Sequence, residues 1–466
     1  MLSQRSQLWA CLTYLLLSPW ALAGSVPEVK AAWVVLGEKG QAVARIVTTD
    51  ADCPSILIEG KSSPMSLRAK AETIPLRPTA SSPEDSKPSS FQFNTCEYPL
   101  PDNISHASIG NLTLPLPKAS PRRIVVIGDS GCRMKKAENA WQDCSDANAW
   151  PFAQIANTAA GMKPDLVLHV GDYHYRENPC PEGVAGCQDS PWGYGWDAWE
   201  ADLFKPAALL LKAAPWVMMR GNHEECARAG QGWFRFLDAR SYEAGRSCND
   251  AAFDGNADYS EPYAVPLGAD TQIIVFDSAK VGKSLLNPAN VKDAPVFARY
   301  QAQFLKVGVL VGKPGTLSMF ANHHPLLGLT PKAGNSVIGG NRALLSVMQA
   351  VNGTAYYPPG VQVALHGHTH LFEAINFSTN HPATFLSGNS GDNVDKGLPD
   401  PLPADSSPAE GVTIERITHS NSFGFLVLDR QPDGWTFNAY RRDGSLMTSC
   451  PLNEGKVNCN RTGLVQ

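Results

Sequence analysis

The stretch Leu166-Val167-Leu168-His169-Val170-Gly171-Asp172-Tyr173-His174-Tyr175 decides the fold. Its first five residues are apolar except for His169, as expected of a strand covered on both faces, and they stop at a glycine followed by a carboxylate. His169, inside the strand, reads as a core histidine with a hydrogen-bond partner. The glycine lets the chain turn sharply, so Asp172 is expected to project from the carboxyl end of the strand, where ligands of such sheets gather.

The same arrangement recurs four times. Ile124-Val125-Val126-Ile127 runs into Gly128-Asp129-Ser130-Gly131, and Trp216-Val217-Met218-Met219 into Arg220-Gly221-Asn222-His223-Glu224. Leu317-Ser318-Met319-Phe320 leads to Asn322-His323-His324-Pro325, and Val361-Gln362-Val363-Ala364-Leu365 to His366-Gly367-His368-Thr369-His370. Singly, a Gly-Asp pair marks a turn and a lone histidine a satisfied polar residue. Five motifs in this order bring carboxylate, amide and imidazole donors to one crevice, a mixed oxygen and nitrogen set suited to two metal ions bridged by one carboxylate, for which Asp172 is the candidate.

Helical patterns at 152–162, 196–214 and 341–351 alternate with these strands, giving an α/β reading beyond Pro121. Upstream, residues 24–118 read as all-β, with short runs such as Ala42-Val43-Ala44-Arg45-Ile46-Val47 bounded by turn residues and a Ser/Pro-rich loop at 81–90. The expected organisation is a signal peptide at 1–23, an N-terminal β-sandwich-like domain at 24–118 and a catalytic domain at 119–466. The tail, with Phe423-Gly424-Phe425-Leu426-Val427-Leu428 and Trp435-Thr436-Phe437-Asn438-Ala439-Tyr440, reads as a hairpin that finishes a second sheet.

Composition narrows the function. The 466 residues are 43% hydrophobic and 18% charged with a formal net charge of -5, so no basic nucleic-acid footprint is evident and a small-molecule partner is expected. Arg5, the apolar run from Leu8 to Leu17 and Ala21-Leu22-Ala23 form a secretory signal pattern, and no later segment is long enough to span a bilayer, so a secreted or periplasmic protein is expected. Removing Cys11 with the signal leaves ten cysteines, an even number that suits an oxidising compartment. Sequence proximity pairs Cys53 with Cys96, Cys132 with Cys144, Cys180 with Cys187, Cys226 with Cys248 and Cys450 with Cys459. Five sequons, at Asn103, Asn111, Asn352, Asn376 and Asn460, do not distinguish a bacterial from a eukaryotic host.

The motif set resembles that of the calcineurin-like metallophosphoesterases over roughly residues 121–395, and Tyr175 of Gly171-Asp172-x-x-Tyr175 resembles the purple acid phosphatase branch. The resemblance implies a four-layer αββα sandwich with an N-terminal all-β, fibronectin-like accessory domain. It also implies a first metal site of Asp129, Asp172, Tyr175 and His370, holding iron through the phenolate. The second would comprise Asp172, Asn222, His323 and His368, holding zinc, manganese or iron. His323 is preferred to His324 because the family's ligand stands two residues before a proline. The implied function is hydrolysis of phosphomonoesters by a metal-bound hydroxide, with His223 as general acid. His324, Glu224, His366 and His174 are candidates for contacting substrate or orienting the ligands. A phosphodiesterase acting on nucleotides or lipid headgroups, and a non-catalytic protein with a structural metal site, are the alternatives. The oligomeric state is left open.

Overall fold

A computed structural model describes residues 28–465; the expected signal peptide lies outside the described residues. The chain forms two large sheets stacked face to face. At the centre of the first are β1 (Val29–Leu36), β2 (Arg123–Ile127), β3 (Leu166–His169) and β4 (Trp216–Met218), side by side in the order β2-β3-β4-β1 within eleven strands. The second has eight strands around β5 (Thr271–Val275), β6 (Leu317–Ala321) and β7 (Val361–His366). Helices α1 (Phe152–Gly161) and α2 (Ala208–Ala213) belong with the first sheet, α3 (Ala294–Leu310) and α4 (Arg342–Asn352) with the second.

Three hydrophobic layers follow from strand alternation. Ile124, Val126, Leu168 and Val217 of the first sheet meet Ile273, Val275, Met319 and Phe385 of the second in the central core. The opposite faces, carrying Val125, Ile127 and Val167 on one sheet and Ile274, Phe320 and Ala364 on the other, pack on the helices. Both faces of these strands are therefore buried, which is why they read as continuous apolar runs. The result is the expected αββα sandwich.

Register places the functional loops. β2, β3 and β4 are parallel and end level, with Ile127 opposite His169 and His169 opposite Met218. β5, β6 and β7 are also parallel, with Val275 opposite Ala321 and Ala321 opposite Leu365. Every motif thus begins just past a common line.

Three expectations change. The N-terminal region is an accessory β unit, yet backbone hydrogen bonding crosses its boundary: β1 pairs in parallel with β4, and strands Ala42–Thr48, Asn94–Pro99 and Ser66–Ala69 continue the same sheet. The span 196–214 is not one helix; a turn of helix at Trp196–Trp199 widens into a π turn at Glu200–Phe204, and α2 begins only after Pro206, whose ring and missing N–H interrupt the ladder. The tail hairpin, Gly424–Gln431 with Gly434–Arg441, joins the first sheet and not the second, antiparallel to β2 with Val125 opposite Val427. Its residues alternate between two buried layers, Leu426 and Leu428 inward and Phe425 and Val427 toward the helices. A strand apolar on both faces carries no mark of which sheet it joins.

All five expected cysteine pairs are disulfides. Cys132–Cys144 closes a loop against the 175–178 segment, where the N–H of Met134 donates to the Tyr175 carbonyl at 3.0 Å and the N–H of Lys136 to Oδ1 of Asn178 at 2.9 Å.

Candidate metal centre

Three of the candidate ligands occupy left-handed backbone: Asp129 at φ 54°, Asp172 at 58° and His368 at 70°. Such conformations are costly for residues with a Cβ and persist where surrounding contacts over-determine them. Here the contacts are identifiable. Glu224 accepts from the backbone N–H groups of Asp172 and Gly221 through Oε2, both at 3.0 Å, and from Tyr173 and His174 through Oε1 at 2.8 and 3.2 Å. One carboxylate thereby ties the 171–175 loop to the turn carrying Asn222 and His223. Gly221 is required at that junction, since a Cβ there would lie 2.1 Å from Oδ1 of Asp172.

The first donor set converges around Tyr175. Its Oη lies 3.0 Å from Oδ1 of Asp129, 3.0 Å from Oδ2 of Asp172 and 3.1 Å from Nε2 of His370. The second set shares Asp172. Nε2 of His323 is 3.0 Å from Oδ2 of Asp172 and 3.2 Å from Oδ1 of Asn222, while Nδ1 of His368 is 2.9 Å from the same Asn222 oxygen. Ligands bonded to one ion at about 2.1 Å are about 3 Å apart along a polyhedron edge, so both sets fit an ion each, with Asp172 common to them. Asp172, His323 and His368 by themselves meet the spacing of a metal triad. Asp129 and Asp172 are almost wholly buried; two buried carboxylates this close call for a cation between them. Asn222 and His368 are partly exposed, which locates the opening on the second-set side.

Hydrogen bonds from behind aim these donors. Nδ1 of His370 lies 2.9 Å from the Asn393 carbonyl, which leaves Nε2 as the donor atom, and the His370 N–H is held by Asp395 at 2.8 Å. Nδ1 of His323 lies 2.9 Å from the Val170 carbonyl, freeing its Nε2 in the same way. Arg133 reaches Oδ2 of Asp392 through Nη2 at 2.6 Å and lies 4.9 Å over the Tyr175 ring. Asp202 accepts from the Tyr175 N–H at 2.8 Å.

The remaining expected residues divide. The His223 ring lies against Tyr175 with centroids 4.0 Å apart, its Nε2 4.0 Å from Oδ2 of Asp172 and its Nδ1 2.6 Å from Oε1 of Glu177. Burial pushes its imidazole down to about 4 against the opposing pull of Asp172 and Glu177. His324 lies beside His368 at 4.3 Å between centroids, with Nδ1 3.1 Å from Oγ of Ser278. Glu224 is the backbone clamp described above. His366 sits at the end of β7 with Nδ1 3.3 Å from the Asn322 carbonyl, and burial pushes it down to about 3. His174 turns away from both donor sets, its ring enclosed by Tyr194 and Trp199 at 5.6 and 5.5 Å. His169 is the core histidine expected, 2.9 Å from Oγ of Ser130 and stacked on Tyr173 at 3.7 Å. Glu177, Arg133, Asp392 and Asp395 were not among the sequence candidates. Glu177 lies five residues after Asp172 on the same loop, close enough in sequence to be a candidate; Asp392 and Asp395 lie on the loop after strand Ala383–Ser387, whose apolar run is short and does not lead directly into a carboxylate or histidine.

Parallel strands in two stacked sheets, delivering two adjoining oxygen and nitrogen donor sets to one crevice, define a metal-dependent hydrolase of the phosphoesterase type. The calcineurin-like phosphoesterase family profile matches residues 122–372, more than half of the chain, and the protein belongs to that family. Its members imply a dinuclear metal centre and small phosphate ester substrates. Among solved structures the chain is similar to the purple acid phosphatase PPD1 from yellow lupin (Lupinus luteus) seeds, at 12% identity and a TM-score of 0.52 over 91% of this chain and 74% of that one. It also matches a structure of PhoD at 12% identity and a TM-score of 0.49, covering 95% of this chain and 94% of the other. No curated protein matches the sequence.

Proposed function

We propose that this chain is an exported binuclear phosphoesterase that hydrolyses phosphomonoesters, with His223 protonating the leaving group. The observation that carries the reading is the position of His223, flanking the shared ligand Asp172 and held from behind by Glu177. In this reading Asp129, Asp172, Tyr175 and His370 hold one ion, iron being favoured by the phenolate. Asp172, Asn222, His323 and His368 hold zinc, manganese or iron. When bound, the two ions supply an activated water and neutralise charge on the phosphoryl group.

The protein's own groups do the rest. Asp172 sets the spacing of the two donor sets through one carboxylate. His324, next to His368 at the open side, is placed to contact a phosphoryl oxygen. His223 presents Nε2 toward the crevice and, in the protonated form that acidic solution favours, gives its proton to the departing alkoxide, a role typically worth about 10²- to 10⁴-fold. Five disulfides support an oxidising compartment, secreted or periplasmic.

The test is hydrolysis of an aryl phosphomonoester and the matched diester by the metal-loaded protein, beside its visible spectrum. Monoester turnover with a charge-transfer band that vanishes in Tyr175→Phe is the expected result. Turnover of the diester alone overturns the monoester assignment, and turnover of neither with both ions bound overturns the enzyme assignment.

A further inference from the structure

A cavity of about 560 Å³ lies outside the five motifs, between α3 and the loops that precede β5, and among its lining residues are Arg240, Arg246, Tyr259, Glu261, Arg299 and Gln303. Its positive charge is only partly compensated. Arg240 is 3.4 Å from Oδ1 of Asp238 and donates to the Glu261 carbonyl. Arg246 donates to Oγ of Ser260 at 3.3 Å and lies 5.7 Å over Phe234, while Arg299 lies 4.7 Å over Tyr259. Among the described residues neither Arg246 nor Arg299 has a carboxylate partner. Glu261, the acid in the lining, is 3.3 Å from Nζ of Lys306.

Three guanidinium groups from a loop and a helix line one concave space, and their planar forks match phosphate oxygens in pairs. We propose that this cleft is a second ligand site, separate from the metal centre, for a small ligand carrying two phosphate groups, one for each unpaired guanidinium.

The cleft has a physical route to the metal centre. A second, narrow pocket of about 20 Å³ shares the lining residues Arg240 and Glu261 and is also lined by Arg220 and Asp277, an ion pair with Nη2 2.5 Å from Oδ2. Arg220 stands two residues before Asn222, and Asp277 immediately before Ser278, the partner of His324. Occupancy of the cleft is therefore expected to alter KM for the substrate more than metal content.

Calorimetry on the full metal-loaded chain with fructose 1,6-bisphosphate in its non-hydrolysable bisphosphonate form, saturating fluoride being present to occupy the metal centre without competing for guanidinium groups, tests the site. The expected result is a single isotherm that survives His223→Ala and weakens at least about tenfold in Arg246→Ala and in Arg299→Ala. Basal turnover and melting temperature of these two variants should match the wild type. An isotherm unchanged in the double variant, or none at millimolar ligand, overturns the proposal. Because the readout is binding, a failure of the phosphomonoesterase assignment leaves this result legible.

Discussion

Nδ1 of His223 lies 2.6 Å from Oε1 of Glu177, with both side chains buried, and Nη1 of Arg228 is 3.7 Å from that same oxygen. Burial disfavours the Glu177 carboxylate, yet Arg228 and His223 together hold its carboxyl well below the usual range. The contact fixes the face that His223 turns toward the crevice. Glu177→Ala is expected to lower kcat by about 10- to 100-fold with little change in KM or metal content. Steady-state kinetics beside metal analysis checks this; loss of metal in proportion to activity would make Glu177 a support of the donor set instead.

Asp392 joins Arg133 to the back of His370, its Oδ2 being 2.6 Å from Nη2 of Arg133 and 3.7 Å from Nδ1 of His370. Asp392→Asn is expected to weaken retention of the ion in the Tyr175 set by about 10- to 100-fold, as is usual when a group behind a ligand is removed. Competition against a graded series of chelators measures it, and unchanged retention would show that the Asn393 carbonyl alone orients His370.

Gly221→Ala brings a Cβ to within 2.1 Å of Oδ1 and 2.4 Å of the backbone nitrogen of Asp172. The shared carboxylate must move, so the variant is expected to fold and to lose both bound metal and turnover. Far-ultraviolet circular dichroism with metal analysis separates this from general unfolding.

Glu373 is fully buried on strand Phe372–Phe377, and burial pushes its carboxyl up to about 8, although the Leu329 N–H donates to it at 3.1 Å. The folded state therefore holds a proton that the unfolded chain releases near pH 4.5. The stability tied to that proton is complete below the unfolded value and is lost as pH rises through about 8. Glu373→Gln is expected to flatten the decline in melting temperature between pH 5 and 8, seen by calorimetric scans across that range. A decline as steep as in the wild type would place its origin elsewhere.

Much of the donor set was legible because it is encoded locally. Asp129, Asp172, Asn222, His323 and His368 each follow an apolar run by a few residues, and a strand end with a glycine is a sequence property. Glu224 belongs to the Gly221-Asn222-His223-Glu224 motif, but its hydrogen bonds to Tyr173 and His174 connect loops about fifty residues apart, so its role as a clamp is a property of the fold and not of the motif. His174 misled for the opposite reason: it sits between two motif residues, and only the packing of Tyr194 and Trp199 shows that its ring faces an aromatic wall.

The sequence by itself determined the central strands, the five turns at their ends and the chemistry of the donors, since periodicity, glycine placement and side-chain type are local. Tertiary structure decided which sheet each strand joined, because runs buried on both faces fit either sheet equally well. It decided that the N-terminal strand β1 pairs with β4 across the expected domain boundary. It also decided which charged groups stand behind His223 and His370, since contacts such as that of Arg133 with Asp392 span 259 residues and arise only once two sheets bring their loops to the same edge.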